Sequence, residues 1–133
     1  MNSFKFEVPT FIIMGKKKPK NYHLNFNNYH NWHHQVRNNI KKRFQLQIVP
    51  LLQDLPKLQT ITMIEYRIYH KDNRKFDVSN KLTLIDKFTQ DAIVQAGKIE
   101  DDNFHYIKSI LSGYGGKKDR DYATVEIFSP DLI

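Results

Sequence analysis

The sequence contains no cysteine and no long apolar run. The absence of cysteine excludes disulfides, thiolate-ligated zinc and cysteine nucleophiles. The longest apolar run near the start, Phe11–Met14, is too short for a signal-peptide core or a membrane span, so we expect a cytoplasmic protein that does not use a membrane. No repeat or low-complexity linker divides the chain, which predicts one domain over residues 1–133.

Acidic residues are also comparatively scarce. The chain has 14 Asp and Glu against 21 Lys and Arg, which gives a net charge of +7. An excess of this size indicates a polyanionic partner, although a basic protein without such a partner has the same composition. Hydrophobic residues make up 40% of the chain, which is enough for a globular core.

The first half of the chain predicts a strand followed by a long helix. Strand-forming residues from Phe4 to Met14 predict one strand that bends near Pro9. A helix is predicted to begin among Asn25 to Asn28, because asparagine can cap a helix. The residues that recur every fourth position predict one buried stripe on this helix: Trp32, Val36, Ile40 and Phe44.

The second half predicts one more helix between strands. The helix covers Val78 to Ala96, and Gly97 stands where a C-terminal cap belongs. Strands are predicted over 60–70, 106–112 and 122–128, with a glycine-rich turn over 113–118. The chain therefore predicts an α+β fold: a single domain with two helices packed on a mixed β-sheet of about four strands, in the order β-α-β-α-β-β.

Carboxylates flank the second predicted helix. Asp77 stands just before it, and Asp101 and Asp102 stand just after it. The two ends of such a helix are more than about 20 Å apart, so these groups can meet only through tertiary folding. Carboxylates that do meet can hold Mg²⁺, which activates water and stabilises a leaving oxygen. Each residue alone also has a structural explanation, as a helix cap or a polar turn.

Three motifs occur in order between about Lys75 and Tyr106. Asp77-Val78-Ser79-Asn80 is similar to an Asp-x-Asp-Asn start, Lys87 is followed four residues later by Asp91-Ala92, and 97–102 has the form Gly-x-x-x-Asp-Asp. The ordered combination resembles the RusA-type Holliday junction resolvases, and especially their phage- and prophage-encoded branch.

The resemblance implies a metal-dependent endodeoxyribonuclease that resolves four-way and related branched DNA by paired phosphodiester hydrolysis. It implies Mg²⁺ or Mn²⁺ and no organic cofactor, a homodimer, and the cytoplasm of a bacterium or of a phage-infected host. Asp77 and Asp102 would be metal-binding catalytic carboxylates, with Asp101 beside them at the metal. Lys87 would be the catalytic lysine, and Asp91 would support the site or orient Lys87 from the next helical turn.

One position departs from the family pattern. The second aspartate of the Asp-x-Asp-Asn start is Ser79 here, and a serine oxygen can face a metal without contributing charge. Asn80 would bond nearby backbone or a ligand. The alternative is a non-catalytic protein that binds branched DNA and has lost cutting through this replacement. A further alternative is a basic scaffold protein whose acidic turn and helix cap are structural.

Basic residues in four parts of the chain are candidates for contact with DNA phosphates. They occur in a loop near the start, on the first helix, before the second helix and after the glycine-rich turn. The set is Lys16, Lys17, Lys18, Lys20, Arg37, Lys41, Lys75, Lys117 and Lys118.

Overall fold

The computed structural model describes residues 2–133. Its elements in chain order are β1 (Ser3–Val8), β2 (Phe11–Met14), β3 (Lys20–His23), α1 (Phe26–Asn31), α2 (His34–Ile48), a 3₁₀ helix (Val49–Leu52), β4 (Met63–His70), α3 (Val78–Gln95), β5 (Ile110–Lys117) and β6 (Tyr122–Phe128). The predicted α+β class and the mixed four-stranded sheet are confirmed.

The four-stranded sheet has the order β1-β6-β4-β5. Strands β4 and β5 are parallel and are joined through α3, whereas β6 runs antiparallel to both β1 and β4. Buried and partly exposed residues alternate along β4 and β6, as expected when one face of a sheet is packed and the other is not. Tyr66, in the middle of β4, is fully buried.

Helix α3 packs its apolar side into the core, as predicted. Its buried residues include Leu82, Ile85 and Phe88, and the Phe88 ring contacts Phe44 of α2 with 5.7 Å between ring centroids. The helix ends at Gln95, and Gly97 follows with a φ of +74°, the left-handed conformation that is common just after a helix C-terminus. Within residues 2–133, no helix is both long and apolar enough to cross a membrane.

The prediction of one long first helix was wrong. The segment forms two helices, α1 and α2, because Trp32 and His33 have extended backbone conformations. The Trp32 ring packs edge-on against Tyr22 of β3, and the His33 side chain accepts a hydrogen bond from the backbone N–H of Gln35 and caps α2. Ile40 and Phe44 are buried as the four-residue spacing predicted.

The prediction of one bent strand from Phe4 to Met14 was also wrong. The chain leaves the main sheet at Pro9, and β2 pairs instead with β3 in a separate two-stranded hairpin. Gly15 begins the turn of this hairpin with φ +115°, and a Cβ there would lie 2.7 Å from the carbonyl oxygen of Lys18. The predicted lysine-rich loop is therefore shorter, and Lys20 belongs to a strand.

The predicted turn over 113–118 is a strand, since β5 extends to Lys117. Two glycines of β5 are required by packing against β4 and not by a turn. Gly113 lies under the Arg67 side chain and Gly115 under the Tyr69 ring, and a Cβ at either position would collide with these neighbours on β4. The predicted strand start at Tyr106 is a loop, because regular pairing begins only at Ile110.

Candidate active site

Asp77 forms the N-cap of α3. Its carboxylate accepts a hydrogen bond of 3.2 Å from the backbone N–H of Asn80, and its side chain is exposed. The Asn80 side-chain oxygen accepts a bond of 3.2 Å from the backbone N–H of Phe26, which ties α1 to the start of α3. Ser79 is exposed in the first helical turn. The sequence-predicted residues before the helix thus lie together at its first turn.

Asp101 and Asp102 lie beyond the other end of α3. The helix has 18 residues, which corresponds to about 27 Å along its axis. Asp102 shares a cavity with Asp91, which lies 14 residues and about 21 Å along the helix from Asp77, so Asp77 is not a member of this group within one subunit. The fold does bring together Asp91, Asp101 and Asp102, which line one open cavity with Lys41 and Gln45. We call Asp91, Asp101 and Asp102, together with Asp86 at the middle of the helix, the acidic end of α3.

The acidic turn is held by hydrogen bonds from its own backbone and side chains. One carboxylate oxygen of Asp101 accepts from the backbone N–H of Asp102 at 2.8 Å, and the other accepts from the Asn103 side-chain amide at 2.9 Å. The first of these bonds is the main reason that the pKa of Asp101 is lowered. Both oxygens of Asp101 thus have a structural role in the turn.

The environment raises the pKa of Asp102, in contrast to that of Asp101. Loss of hydration is the largest cause that raises the pKa of Asp102, followed by interaction with Asp101, and the charge of Asp91 adds to the rise. Asp91 is itself compensated, since its Oδ2 lies 2.9 Å from the Lys41 ammonium. Asp102 is therefore the member of this group at which negative charge is least compensated.

Asp86 belongs to the same region and was missed by the sequence analysis. Its Oδ1 accepts hydrogen bonds from the Tyr66 hydroxyl at 2.5 Å and from the Gln90 amide at 2.8 Å. Burial is the main cause that raises the pKa of Asp86, and the charge of Asp102 also raises it, while the two hydrogen bonds act in the opposite direction. An acidic residue directly beside Ile85, at the border of the apolar helix face, was the available signal.

The Tyr66 hydroxyl acts as a fixed donor to this carboxylate. Burial, and then the charge of Asp86, raises the pKa of Tyr66 well above its ordinary value. The hydroxyl consequently stays protonated and donates its hydrogen to Asp86. A side chain in the centre of the sheet thus positions a carboxylate on the helix.

Lys87 lies on the exposed side of α3. Its ammonium stands 5.5 Å from the centre of the Tyr29 ring, whereas the carboxylate of Asp91, one turn further on, contacts Lys41. Adjacent residues of a helix do not face each other, so the position next to Asp86 does not by itself place the Lys87 ammonium among the carboxylates. In this subunit its ammonium contacts an aromatic face.

The predicted phosphate-contacting residues fall into two groups. Lys16, Lys17, Lys18 and Lys75 are exposed in loops. The others contact the protein itself: Lys20 lies over Tyr22, Arg37 donates to the backbone oxygen of Tyr29, Lys41 pairs with Asp91, Lys117 bonds Asn73, and Lys118 lies over Tyr69. The first group is the one whose charge faces solvent without such a contact.

The carboxylate set can be compared with the needs of a metal ion. Among residues 2–133 there is no group of three or more His, Asp or Glu side chains arranged to hold a metal by themselves. Mg²⁺ commonly takes only one or two protein carboxylates and completes its shell with water and substrate phosphate. Asp91 and Asp102, which share one cavity, fit that requirement.

Comparison with protein-family models and with curated proteins gave no significant match. The resemblance to RusA-type resolvases therefore rests on the three motifs of α3 and its flanks.

Proposed function

We propose that this protein is a metal-dependent endodeoxyribonuclease that cuts four-way and related branched DNA. The supporting observation is that Asp91 and Asp102 line one cavity beside the second half of α3 and that the charge of Asp102 also acts on Asp86, in a chain with a net charge of +7. A basic surface attracts the DNA backbone, and an acidic pocket within it attracts a divalent cation. The proposed setting is the cytoplasm of a bacterium or a phage-infected host.

The electrostatics of the acidic end support a cation. The raised pKa values of Asp86 and Asp102 indicate that folding brings negative charges together and removes part of their hydration. A divalent cation offsets the repulsion between the charges and the loss of hydration, because it compensates the negative charge and binds the carboxylate oxygens. Lys41 compensates Asp91 and leaves Asp102 as the stronger attractor.

Each protein group has a separate task in the proposed reaction. Asp91 and Asp102 would hold Mg²⁺ or Mn²⁺, and the ion would lower the pKa of water and polarise the phosphate. Asp86, held at Oδ1 by Tyr66 and Gln90, presents its other oxygen to the attacking water. The Lys87 ammonium neutralises charge that develops on the phosphate.

Asp77 requires a second subunit in this proposal. The family pattern assigns it to the metal, yet it lies at the opposite end of α3 from Asp102. Resolution of a junction needs two symmetric cuts, for which a twofold homodimer is suited. In such a dimer one subunit supplies Asp77 and the other supplies Asp102, so that two shared sites form.

A mixing experiment tests this arrangement. Asp77→Asn and Asp102→Asn are each expected to bind a labelled four-way junction without cutting it. Co-expressed with different tags and purified as a heterodimer, the two variants rebuild one intact shared site, because the other site receives both substitutions. We expect metal-dependent nicks in single strands without paired resolution.

The matched control combines Asp102→Asn with Asp91→Asn, both of which alter the same end of the helix. In that heterodimer each site contains one aspartate replaced by asparagine, and no nicks are expected. Nicking by Asp77→Asn alone would remove Asp77 from the mechanism. An inactive Asp77→Asn/Asp102→Asn heterodimer would show that the two residues do not form a site across subunits.

The second candidate function is binding of branched DNA without cutting. Ser79 favours it, because a neutral side chain replaces a family carboxylate at the helix start. Wild-type protein that binds a four-way junction but makes no nicks with either Mg²⁺ or Mn²⁺ would support this candidate over the nuclease.

A further inference from the structure

A second cleft lies at the end of α3 that carries Asp77. It has a volume of about 350 Å³ and is bounded by the loop that follows β4 and by the side chain of Tyr114 on β5. Its walls are aromatic on one side, with Phe76 and Tyr114, and cationic on the other, with Arg74 and Lys75. We call these four residues the aromatic–basic cleft.

His70 fixes the aromatic wall. Its Nε2 lies 2.6 Å from the Tyr114 hydroxyl, and its Nδ1 lies 2.8 Å from the backbone oxygen of Asp72. The His70 ring also packs edge-on against Phe76, with centroids 5.1 Å apart. The wall is therefore held in place by contacts between side chains, while 53% of Tyr114 remains exposed.

Cationic side chains surround the same aromatic wall. Arg74 and Lys75 also line a neighbouring cavity of about 270 Å³ on the other side of Phe76. The Lys81 ammonium, which lines that cavity too, stands 4.7 Å from the centre of the Phe76 ring. An aromatic surface with positive charge on both sides is the combination that binds unstacked bases together with their phosphates.

We propose that the aromatic–basic cleft binds one unstacked nucleotide of single-stranded DNA, with the base against Tyr114 and Phe76 and its phosphate at Arg74 and Lys75. The inference rests on the proposed function only in taking DNA as the ligand. In duplex DNA the base faces are occupied by stacking, so an aromatic wall gains nothing there, whereas unpaired bases at a branch are free to leave the stack. The cleft thereby favours DNA with single-stranded character.

The test measures binding of a labelled oligothymidylate and of a duplex of equal length by fluorescence anisotropy at one fixed salt concentration. Tyr114→Leu removes the ring and is expected to weaken single-strand binding roughly fivefold or more, since each stacked base contributes that much or above. Tyr114→Phe keeps the ring and should bind as the wild type does. Duplex binding should change little in either variant.

Phe104→Leu is the matched control. Phe104 is 85% exposed and lies beyond the other end of α3, so this variant replaces an exposed aromatic ring by leucine outside the cleft. Single-strand affinity that is unchanged in Tyr114→Leu, or reduced equally in Phe104→Leu, overturns the proposal. Thermal melts of all three variants verify that the fold is retained.

Cutting of a four-way junction, measured on the same preparations, separates this inference from the nuclease proposal. Tyr114-dependent single-strand binding by a wild-type protein that never cuts would support the cleft and reject the nuclease. Junction cutting by a protein whose single-strand binding ignores Tyr114 would support the nuclease and reject the cleft.

Discussion

The two ends of helix α3 differ in how their polar groups are held. At the acidic end, Asp86 receives hydrogen bonds from the buried Tyr66 and from Gln90, and Asp91 pairs with Lys41. At the other end, the side chains of Arg74 and Lys75 project from an exposed loop. Partner side chains hold the groups of the first arrangement in place, whereas the groups of the second can follow a ligand.

Under the proposed function, this difference separates the residues that act in DNA cleavage from those that bind DNA. Catalysis depends on groups that are already in position before the substrate arrives. Contact with a DNA backbone depends mainly on the number of positive charges near it, and it tolerates movement of each side chain. The helix therefore separates a rigid, partly buried end from an exposed, cationic end, and substitutions at the two ends should affect different measurements.

Apart from the proposed metal-binding carboxylates, the largest effect is expected from Asp86→Asn. The amide keeps the size of the side chain but removes the charge next to Asp102, so cutting should fall about 10- to 100-fold, as is typical when a group around a metal site is altered. Junction affinity should stay the same. Rates of cutting at saturating DNA and Mg²⁺, together with a binding titration, provide the measurement.

The control for this variant is Asp119→Asn, which removes the same charge from the exposed turn between β5 and β6. Cutting by Asp119→Asn should match the wild type. Equal cutting by Asp86→Asn and the wild type would mean that Asp86 has no part in cleavage. The functional difference between the two ends of α3 would then be smaller.

An intermediate effect is expected from the double variant Arg74→Ala/Lys75→Ala. Loss of two phosphate contacts should lower the slope of log affinity against log salt by up to about 1.8 for duplex DNA. The cutting rate at saturating DNA should not change. Lys57→Ala, an exposed lysine in the loop before β4, is the control. An unchanged salt slope in the double variant would place DNA binding elsewhere on the surface.

The smallest effect concerns stability and pH. The pKa of Asp86 is higher in the folded protein than its ordinary value, so its contribution to stability is fully present below the ordinary pKa and is lost as the pH rises through the raised one. The Asp86→Asn variant does not lose stability in this way, because asparagine does not ionise. Without divalent metal, the Tm of the variant relative to the wild type should therefore increase by roughly a few degrees from acidic to neutral pH. A Tm difference that is independent of pH would contradict the burial of this charge.

Local patterns were sufficient to predict α3. The apolar stripe, the cap residue Asp77 and the glycine at 97 all act within a few residues of the helix, and the structure has them in these roles. Strand β5 could not be predicted in the same way. Gly113 and Gly115 are glycines because Arg67 and Tyr69 of a neighbouring strand lie against them, and that neighbour is more than 40 residues away in sequence.

The same limit applies to the candidate site. The motifs located the carboxylates on both sides of α3, but the partners of those groups depend on tertiary contacts. Lys41 was predicted from the sequence to contact DNA, whereas its ion pair with Asp91 could not be predicted from sequence spacing. The partner of Asp86 is a tyrosine 20 residues earlier in the chain, on another element, and no spacing rule connects the two.

The hydrogen bond between Tyr66 and Asp86 makes the alignment of the sheet a condition for the proposed activity. Tyr66 faces the helix only because it stands opposite Val125 of β6 in the present pairing. Shifting β4 by one residue would turn this ring to the other face of the sheet and leave the carboxylate without its donor. A misaligned molecule could thus retain nearly all of its secondary structure and still be inert, so the rate of DNA cleavage would report on strand alignment more sensitively than circular dichroism.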